Sequence, residues 1–133
     1  MIAQIGKYRV DSILENSDMG VTYKATDEAI NRTVAIKTIH PHLLVGAAGE
    51  KFLNRFKAEA TAALRYQHHN ITSIYEVGQY ADTPYIAMEF VNGLGLDRLL
   101  QNSSSISIGR ITRIFLSACA GLKYAHRQGL SHR

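Results

Sequence analysis

Apolar and β-branched residues recur in five short runs, and each run is bounded by residues that favour turns. The runs cover residues 7–14, 21–26, 33–39, 71–77 and 85–91. Turn sequences such as "ENSD", "DEAIN" and "YADTP" separate them. Runs of this length, punctuated in this way, are typical of strands joined by hairpins. The pattern therefore predicts an antiparallel sheet of five strands built as a meander.

A longer segment between the third and fourth runs changes to helical periodicity. It covers about residues 47–66, where Phe52, Phe56 and Ala63 fall on one helical face. Glu59 falls on the same face. The segment is predicted to be one long helix that interrupts the meander and carries a carboxylate on its apolar stripe.

A second helix is predicted over about residues 108–127. Ser107 is a plausible N-cap and Gly129 a plausible C-terminal stop. The Ser-rich stretch "NSSSISIG" at 102–109 separates this helix from the strand region. An apolar stripe at helical spacing comprises Ile108, Ile111, Phe115, Ala118, Leu122 and Ala125.

Two charged residues stand where apolar residues are expected. Lys37 lies in the middle of "TVAIKTI", which otherwise reads as a buried strand. A buried ammonium without a partner costs several kcal/mol. Glu59, on the predicted helix, has the opposite sign, so the pattern predicts a Lys37–Glu59 ion pair. The alternative is that each side chain reaches solvent at the edge of its element.

Composition is ordinary for one globular domain. The chain has 133 residues, of which 46% are hydrophobic and 20% charged. It has no run of the roughly 20 apolar residues that a membrane span needs, and the first ten residues do not resemble a signal peptide. The single cysteine, Cys119, excludes an internal disulfide. These features predict a cytoplasmic protein without a membrane segment.

Charge is distributed unevenly along the chain. Residues 1–97 hold eleven acidic and nine basic side chains, whereas residues 98–133 hold six basic side chains and no acidic one. The bases are dispersed along a helix without interleaved aromatic residues, which is not the pattern of a nucleic-acid surface. The six histidines include "HPH" and "HH", but neither spacing places two imidazoles on one helix face, so no metal site is predicted.

Five motifs, in this order, resemble the N-terminal part of a bacterial, eukaryotic-like protein Ser/Thr kinase. They are "TVAIKTI", "RFKAEATAAL", "HHNITSIYEVG", "YIAMEFVNG" and "GLKYAHRQGLSHR". The resemblance implies an α+β fold. Residues 1–92 would form the kinase N-lobe with its hinge, a five-stranded antiparallel sheet plus one long helix. Residues 93–133 would form the first helices of the C-lobe, ending just before the catalytic-loop aspartate.

The resemblance also assigns roles to individual residues. Lys37 would hold the α- and β-phosphates of ATP, and Glu59 would orient Lys37. Met88 would be the gatekeeper behind the adenine. The backbone groups of Glu89 and Val91 would bond the edge of the base.

The adenine and the phosphates would also be contacted from the other strands. Ala35 lies two residues before Lys37 on the same strand face, where its small side chain would leave room for adenine. Leu14 and Thr22 would cover the adenine. The resemblance assigns Ser17 and Gly20 to the glycine-rich loop over the phosphates.

The loop itself departs from the family pattern of three glycines. Glu15 stands at the first glycine, Ser17 at the second and Gly20 at the third, within "ILENSDMGVTYKA". Glycines let the backbone close over phosphates, and a carboxylate there adds repulsion, so we expect weak or undetectable ATP binding. The alternative to a phosphate flap is a plain hairpin turn made by "NSD".

The complete enzyme implied by the resemblance would transfer a phosphoryl group from Mg-ATP to Ser or Thr of a protein substrate. No residue of this chain matches the catalytic aspartate or the magnesium ligands, so this chain alone is predicted to be inactive. One alternative is a catalytically dead, kinase-derived module that senses nucleotide or docks a partner. Another is a folded remnant that oligomerises. In each case we expect self-association through the helix over Ile108–Leu122.

Overall fold

The structure is a computed structural model that describes residues 3–102 and 105–132. The chain forms two compact units. The first contains the described part of Met1–Tyr66 together with Ser73–Phe90, and the second contains Gln67–Thr72 with the described part of Val91–Arg133.

The first unit is built on an antiparallel sheet. Within the described residues the sheet has six strands in the order β1-β2-β3-β4-β6-β5. The strands are β1 Gln4–Ile5, β2 Tyr8–Asn16, β3 Val21–Asp27, β4 Arg32–Thr38, β5 Ile74–Tyr80 and β6 Thr83–Glu89.

The predicted five-stranded meander is corrected in two respects. β1 adds a sixth strand, and its two residues are too few to show an alternating pattern in the sequence. β6, rather than β5, pairs with β4, which leaves β5 at the edge. The chain between β4 and β5 contains a long helix, so β5 is free to lie one strand further out.

The core lies on one face of this sheet. Val34 and Ile36 of β4, which are separated by one residue, are fully buried in it. The rings of Tyr8 and Tyr85 meet edge to face, with centroids 6.2 Å apart. The buried cluster comprises Ile5, Tyr8, Tyr23, Ala25, Val34, Ile36, Tyr85 and Ala87.

The β5–β6 hairpin turns through Ala81 and Asp82. Their φ angles are 45° and 62°, so both lie in the left-handed region. A two-residue loop with positive φ at both positions is a type I′ turn, whose twist matches that of the flanking strands. The predicted turn "YADTP" is therefore confirmed.

The long helix, α1, spans Gly46–Ala63 and follows a single 3₁₀ turn at Pro41–Leu44. Its buried residues are Gly49 and Ala60, and Phe52 and Phe56 are half-buried. The predicted helix continued to residue 66, but α1 ends three residues earlier.

The second unit contains α2, Leu96–Asn102, and α3, Ile108–Arg127. The predicted bounds of α3 are confirmed. The Ser107 side chain accepts a hydrogen bond from the Arg110 N–H at 3.2 Å, and Gly129 has a φ of 82°. α2 was not predicted, because its seven residues are too few to establish a helical period. The Ser-rich stretch at 102–109 lies partly outside the described residues.

The turn before β5 is closed by hydrogen bonds to His68. His68 Nδ1 accepts a hydrogen bond from the Asn70 N–H at 3.1 Å, and the His68 carbonyl accepts from the Ile71 N–H at 3.0 Å.

In the part of the chain that the structure describes, no helix is both long and apolar enough to cross a bilayer.

Candidate functional site

Four of the predicted site residues share one face of the sheet. Thr22 of β3 is the register partner of Lys37 in β4, and Ala35 of β4 is the partner of Met88 in β6. Partners in an antiparallel pair lie on the same face, as do residues two apart in one strand. Thr22, Ala35, Lys37 and Met88 therefore lie together, on the face opposite the buried cluster.

Lys37 is exposed in the structure. Of the two expectations for this side chain, the structure shows the one in which it reaches solvent. Its neighbours Val34 and Ile36 turn to the core face, whereas Lys37 lies on the other face of β4. The desolvation cost that a buried ammonium would carry is therefore not incurred.

A cavity of about 340 Å³ opens between the end of β4 and α1. Lys37 lines it on the strand side and Glu59 on the helix side. Its remaining walls are Met19, Thr38, Ile39, Phe52, Arg55 and Phe56. The structure thus brings the two predicted catalytic residues to one cavity.

The predicted ion pair between Lys37 and Glu59 is not formed among the described residues. Glu59 Oε1 instead accepts a hydrogen bond from Arg55 Nε at 3.0 Å, one turn earlier on α1. The two side chains are 61% and 52% exposed, so this pair is well solvated. Residues four positions apart are adjacent on a helix surface. Arg55 and Glu59 can therefore pair wherever α1 lies relative to the sheet.

The loop between β2 and β3 is a hydrogen-bonded turn. The Ser17 N–H donates to the Gly20 carbonyl at 3.0 Å, and Ser17 Oγ donates to the same oxygen at 3.2 Å. His40 Nε2 donates to the Ser17 carbonyl at 2.9 Å, and the His40 N–H donates to the Met19 carbonyl at 3.0 Å. The loop therefore has the conformation of a closed hairpin turn.

Gly20 is required at the end of this loop by close packing. A Cβ atom added to Gly20 would overlap the Thr38 carbonyl group at the end of β4. Thr38 Oγ1 also donates to the Val21 carbonyl at 3.0 Å. The glycine therefore allows the start of β3 to lie directly against the end of β4.

Glu15 and Leu14 lie at the end of β2. Glu15 is the register partner of Thr22, and both it and Leu14 are exposed. The β2–β3 register shifts between Ile13 and Glu15, so Leu14 stands at an irregularity of the ladder.

The predicted hinge residues fall in different units. Glu89 ends β6, where its N–H donates to the Ser73 carbonyl at 2.8 Å and its Oε2 accepts from the Ser73 N–H at 3.1 Å. Val91 belongs to the second unit and is exposed. Its carbonyl accepts a hydrogen bond from the Gly93 N–H at 3.0 Å.

Two residues near the site were missed in the sequence. Lys24 lies on the same sheet face as Thr22, and its Nζ is 5.0 Å from the centre of the Phe90 ring. The sequence signal for Lys24 was its spacing of two residues from Thr22, which places both side chains on one face of the strand. Arg55 was missed as a partner for Glu59, although the spacing of four residues on a helix indicates such a pair.

A polar cluster lies at the edge of the core, away from this face. Glu76 accepts hydrogen bonds from Tyr8 at 2.7 Å and from Tyr85 at 2.9 Å. Lys7 Nζ is 3.6 Å from Glu76 and 3.2 Å from Asp27. Burial opposes ionisation of Glu76, but the two tyrosine hydrogen bonds and the Lys7 charge lower its pKa. Burial, reinforced by Glu76, raises the pKa of Tyr85 to about 12.

The histidines of "HPH" and "HH" stack in pairs. The ring centroids are 5.4 Å apart for His40 and His42 and 4.6 Å apart for His68 and His69. Over residues 3–102 and 105–132, no three His, Cys, Asp or Glu side chains are grouped as a metal site would require.

Comparison with known families decides the assignment. The protein kinase domain model matches residues 8–133. The chain belongs to the protein kinase family. The resemblance expected from the five motifs is thereby confirmed.

Similar proteins with curated descriptions are bacterial serine/threonine kinases. The kinase chain is 34% identical over 128 residues to the serine/threonine-protein kinase pkn3 of Myxococcus xanthus. It is 33% identical over 128 residues to the probable serine/threonine-protein kinase pknA2 of Bifidobacterium longum. Each alignment covers 96% of this chain but 23% and 17% of the respective relative, so the chain spans about a fifth of their length.

Solved structures agree with the sequence relatives. The kinase domain of PknI from Mycobacterium tuberculosis matches with a TM-score of 0.83 and 26% identity, covering 100% of this chain and 53% of that one. The PpkA-294 apo form matches in fold with a TM-score of 0.80 and 24% identity, covering 98% of this chain and 52% of that one. The fold is that of a kinase N-lobe followed by the first helices of the C-lobe.

Proposed function

We propose that this chain is the ATP-binding part of a serine/threonine protein kinase. The observation that carries the proposal is the register that puts Thr22, Ala35, Lys37 and Met88 on one sheet face. In the complete enzyme, a phosphoryl group would pass from Mg-ATP to Ser or Thr of a protein substrate.

The residues on this face fit an adenine nucleotide. Ala35 has a small side chain between its register partners Lys24 and Met88, and Thr22 lies on the same sheet face beside Lys37. We propose that the small side chain leaves room for a planar base. Lys37 is exposed and, among the described residues, forms no ion pair, so its ammonium is available to phosphate oxygens. Leu14 and the backbone of Glu89 and Val91 complete the proposed set.

The phosphate end of the site is proposed to be weak. The turn from Ser17 to Gly20 uses the Ser17 N–H internally, so this amide is not free for a phosphate. We assign no magnesium ligand and no catalytic base to any of the 133 residues. Lys37 would hold the phosphates and Glu59 would orient Lys37 when the two pair, but this chain by itself would not transfer a phosphoryl group.

Calorimetric titration with adenosine and with Mg-ATP tests the proposal. Adenosine is expected to bind the unmodified chain, and Mg-ATP to bind with a dissociation constant above about 100 μM. Lys37→Met should weaken Mg-ATP binding about tenfold and leave adenosine binding unchanged, since one charged contact is lost. Lys51→Met, an exposed lysine of α1, is the matched control and should change neither.

Two results would overturn this function. One is the absence of any binding of adenosine and Mg-ATP at millimolar concentration. The other is an equal loss of Mg-ATP affinity in Lys37→Met and Lys51→Met. That result would mean that Lys37 contributes only to the net charge of the surface and does not contact the nucleotide.

A binding or oligomerisation module is a second candidate, because α3 presents large apolar side chains. Ile108 is 84% exposed, Phe115 61% and Leu116 64%. We propose self-association through the helix over Ile108–Leu122. A cytoplasmic location is also part of the proposal, and it rests on the single free cysteine.

A further inference from the structure

We propose that Glu15 is a specificity-determining residue that makes the candidate nucleotide site select against ligands rich in phosphate. The preferred ligand class is then an adenine compound with few or no phosphate groups. This inference rests on the proposed nucleotide site and adds to it a rule for which ligands the site takes.

Glu15 and Lys37 lie in one row across three strands. Glu15 of β2 is the partner of Thr22 of β3, and Thr22 is the partner of Lys37 of β4. All three side chains therefore share a face. Neighbouring strands are about 4.8 Å apart, so the Cα atoms of Glu15 and Lys37 are separated by about 10 Å. Both side chains are long enough to reach into the space over Thr22.

The two charges in this row are not engaged elsewhere in the described part of the chain. Both residues are exposed, and neither takes part in an ion pair there. Because Glu15 and Lys37 are only two strands apart, their separation is comparable to the screening length of about 8 Å at physiological ionic strength, so the Glu15 charge is only partly screened at a phosphate that contacts Lys37. The carboxylate both repels that phosphate and competes with it for the ammonium.

The position of Glu15 is fixed by its surroundings. β2 continues in register through Asn16, which pairs with Val21. Beyond it, the turn is closed by the Ser17–Gly20 hydrogen bonds and attached to the β4 side by His40. The Glu15 backbone is consequently held at this end of β2, and repulsion between its carboxylate and a ligand grows with each phosphate on the ligand.

The test compares adenosine, ADP and ATP binding to the unmodified chain and to Glu15→Gln, which removes the charge and keeps the shape. Glu15→Gln should raise ATP affinity about fivefold, as expected for removing one exposed charge near an anion. ADP affinity should rise less, and adenosine affinity should not change. At 1 M NaCl, where the screening length is about 3 Å, the gain should nearly vanish.

Asp82→Asn is the matched control. Asp82 is in the β5–β6 turn, on strands separated from β2 by β3 and β4, and Asn tolerates its positive φ. It changes net charge equally and should leave all three affinities unchanged. Thermal unfolding of both variants should match the unmodified chain.

Three results would overturn the inference. One is an equal change for all three ligands in Glu15→Gln, which would mean that Glu15 acts through loop shape. Another is a graded gain of the same size in Asp82→Asn, which would mean that net charge alone matters. The last is unchanged ATP affinity while adenosine binds, which rejects this inference alone. If no ligand binds any variant, the proposed nucleotide site fails as well.

Discussion

At the scale of single residues, the Glu76 carboxylate is held by several polar partners. Tyr8 and Tyr85 donate to its two oxygens, and Lys7 lies nearby. These groups favour the ionised carboxylate strongly enough to outweigh burial and to lower its pKa. A carboxyl whose pKa is lowered on folding stabilises the fold above its unfolded pKa of about 4.5 and loses that contribution as the pH falls through the folded value.

We therefore predict that the effect of Glu76→Gln on stability depends on pH. At pH 7 the variant should be less stable by about 1 kcal/mol, a modest value because Glu76 is partly solvated. At pH 3, which is below the unfolded-state pKa, the difference should shrink, because the unfolded chain binds a proton there and the ionised carboxylate stabilises the fold less. Urea unfolding at both pH values measures this.

The control for this experiment is Glu28→Gln, which removes a carboxylate 66% exposed and paired with Arg9. It should cost little at either pH. A loss of stability in Glu76→Gln that is the same at pH 3 and pH 7 would contradict the assigned protonation behaviour.

At the scale of single residues, the sequence could place the predicted site residues on strand faces but could not give their contacts. Strand alternation was enough to place Ala35 and Lys37 on one face. It could not show that Lys37 is exposed, because the side that faces the core depends on what packs against the sheet. Nor could it show that Arg55 takes the Glu59 carboxylate, since that choice is a competition between a local and a long-range partner.

Among the elements, the junction of β3 and β4 depends on the absence of a side chain at Gly20. We predict that Gly20→Ala lowers the free energy of unfolding by about 2 kcal/mol or more, because the new Cβ would overlap the Thr38 carbonyl group. Gly109→Ala, where a Cβ would meet nothing within 4 Å, is the control and should be neutral or slightly stabilising. Chemical denaturation compares them.

Equal stability of the two glycine variants would show that the start of β3 does not press against the end of β4. The same variants report on the loop, because a shift of Gly20 would also displace its hydrogen bonds to Ser17.

Long elements with end signals were predictable, whereas short ones were not. α3 has a cap at Ser107 and a stop at Gly129, and its bounds match the prediction. β1 and α2 have two and seven residues, less than one clear period of their patterns. The strand order was also missed, because hydrophobic alternation identifies strands but does not state which strands are neighbours.

For the whole molecule, we predict self-association through α3. The exposed apolar residues of α3 are accompanied by six basic and no acidic side chains over residues 98–133, whereas residues 1–97 are net negative. Large apolar patches seldom stay exposed on a soluble monomer, and the charges favour a second copy. Light scattering at several concentrations should show a dimer or larger assembly.

The double variant Ile111→Asp with Phe115→Asp should form a smaller assembly, as measured by the same light scattering. Ser117→Asp is the control, because it adds a charge to the face of α3 opposite the apolar stripe. It should form the same assembly as the unmodified chain. The interface would be excluded if the unmodified chain were a monomer at every concentration and the double variant were equally soluble and folded.

The family could be recognised from the sequence because it depends on the order of five local motifs. The placement of residues 67–72 could not be predicted from the sequence in the same way. Gln67–Thr72 joins the second unit although it precedes two strands of the first, and membership of this kind is decided by contacts distant in the chain.

The pairing of β4 with β6 has a consequence for how fast this protein folds. Val34 pairs with Glu89 and Thr38 with Tyr85, while α1 and β5 occupy the chain between them. Strands β2, β3 and β4, and likewise the β5–β6 hairpin, can each pair from neighbouring residues. Pairing β6 with β4 requires closure of a long loop whose entropy is lost before any contact is gained. High contact order of this kind slows folding. We therefore expect docking of the β5–β6 hairpin on β4, and not the formation of either part, to limit the folding rate.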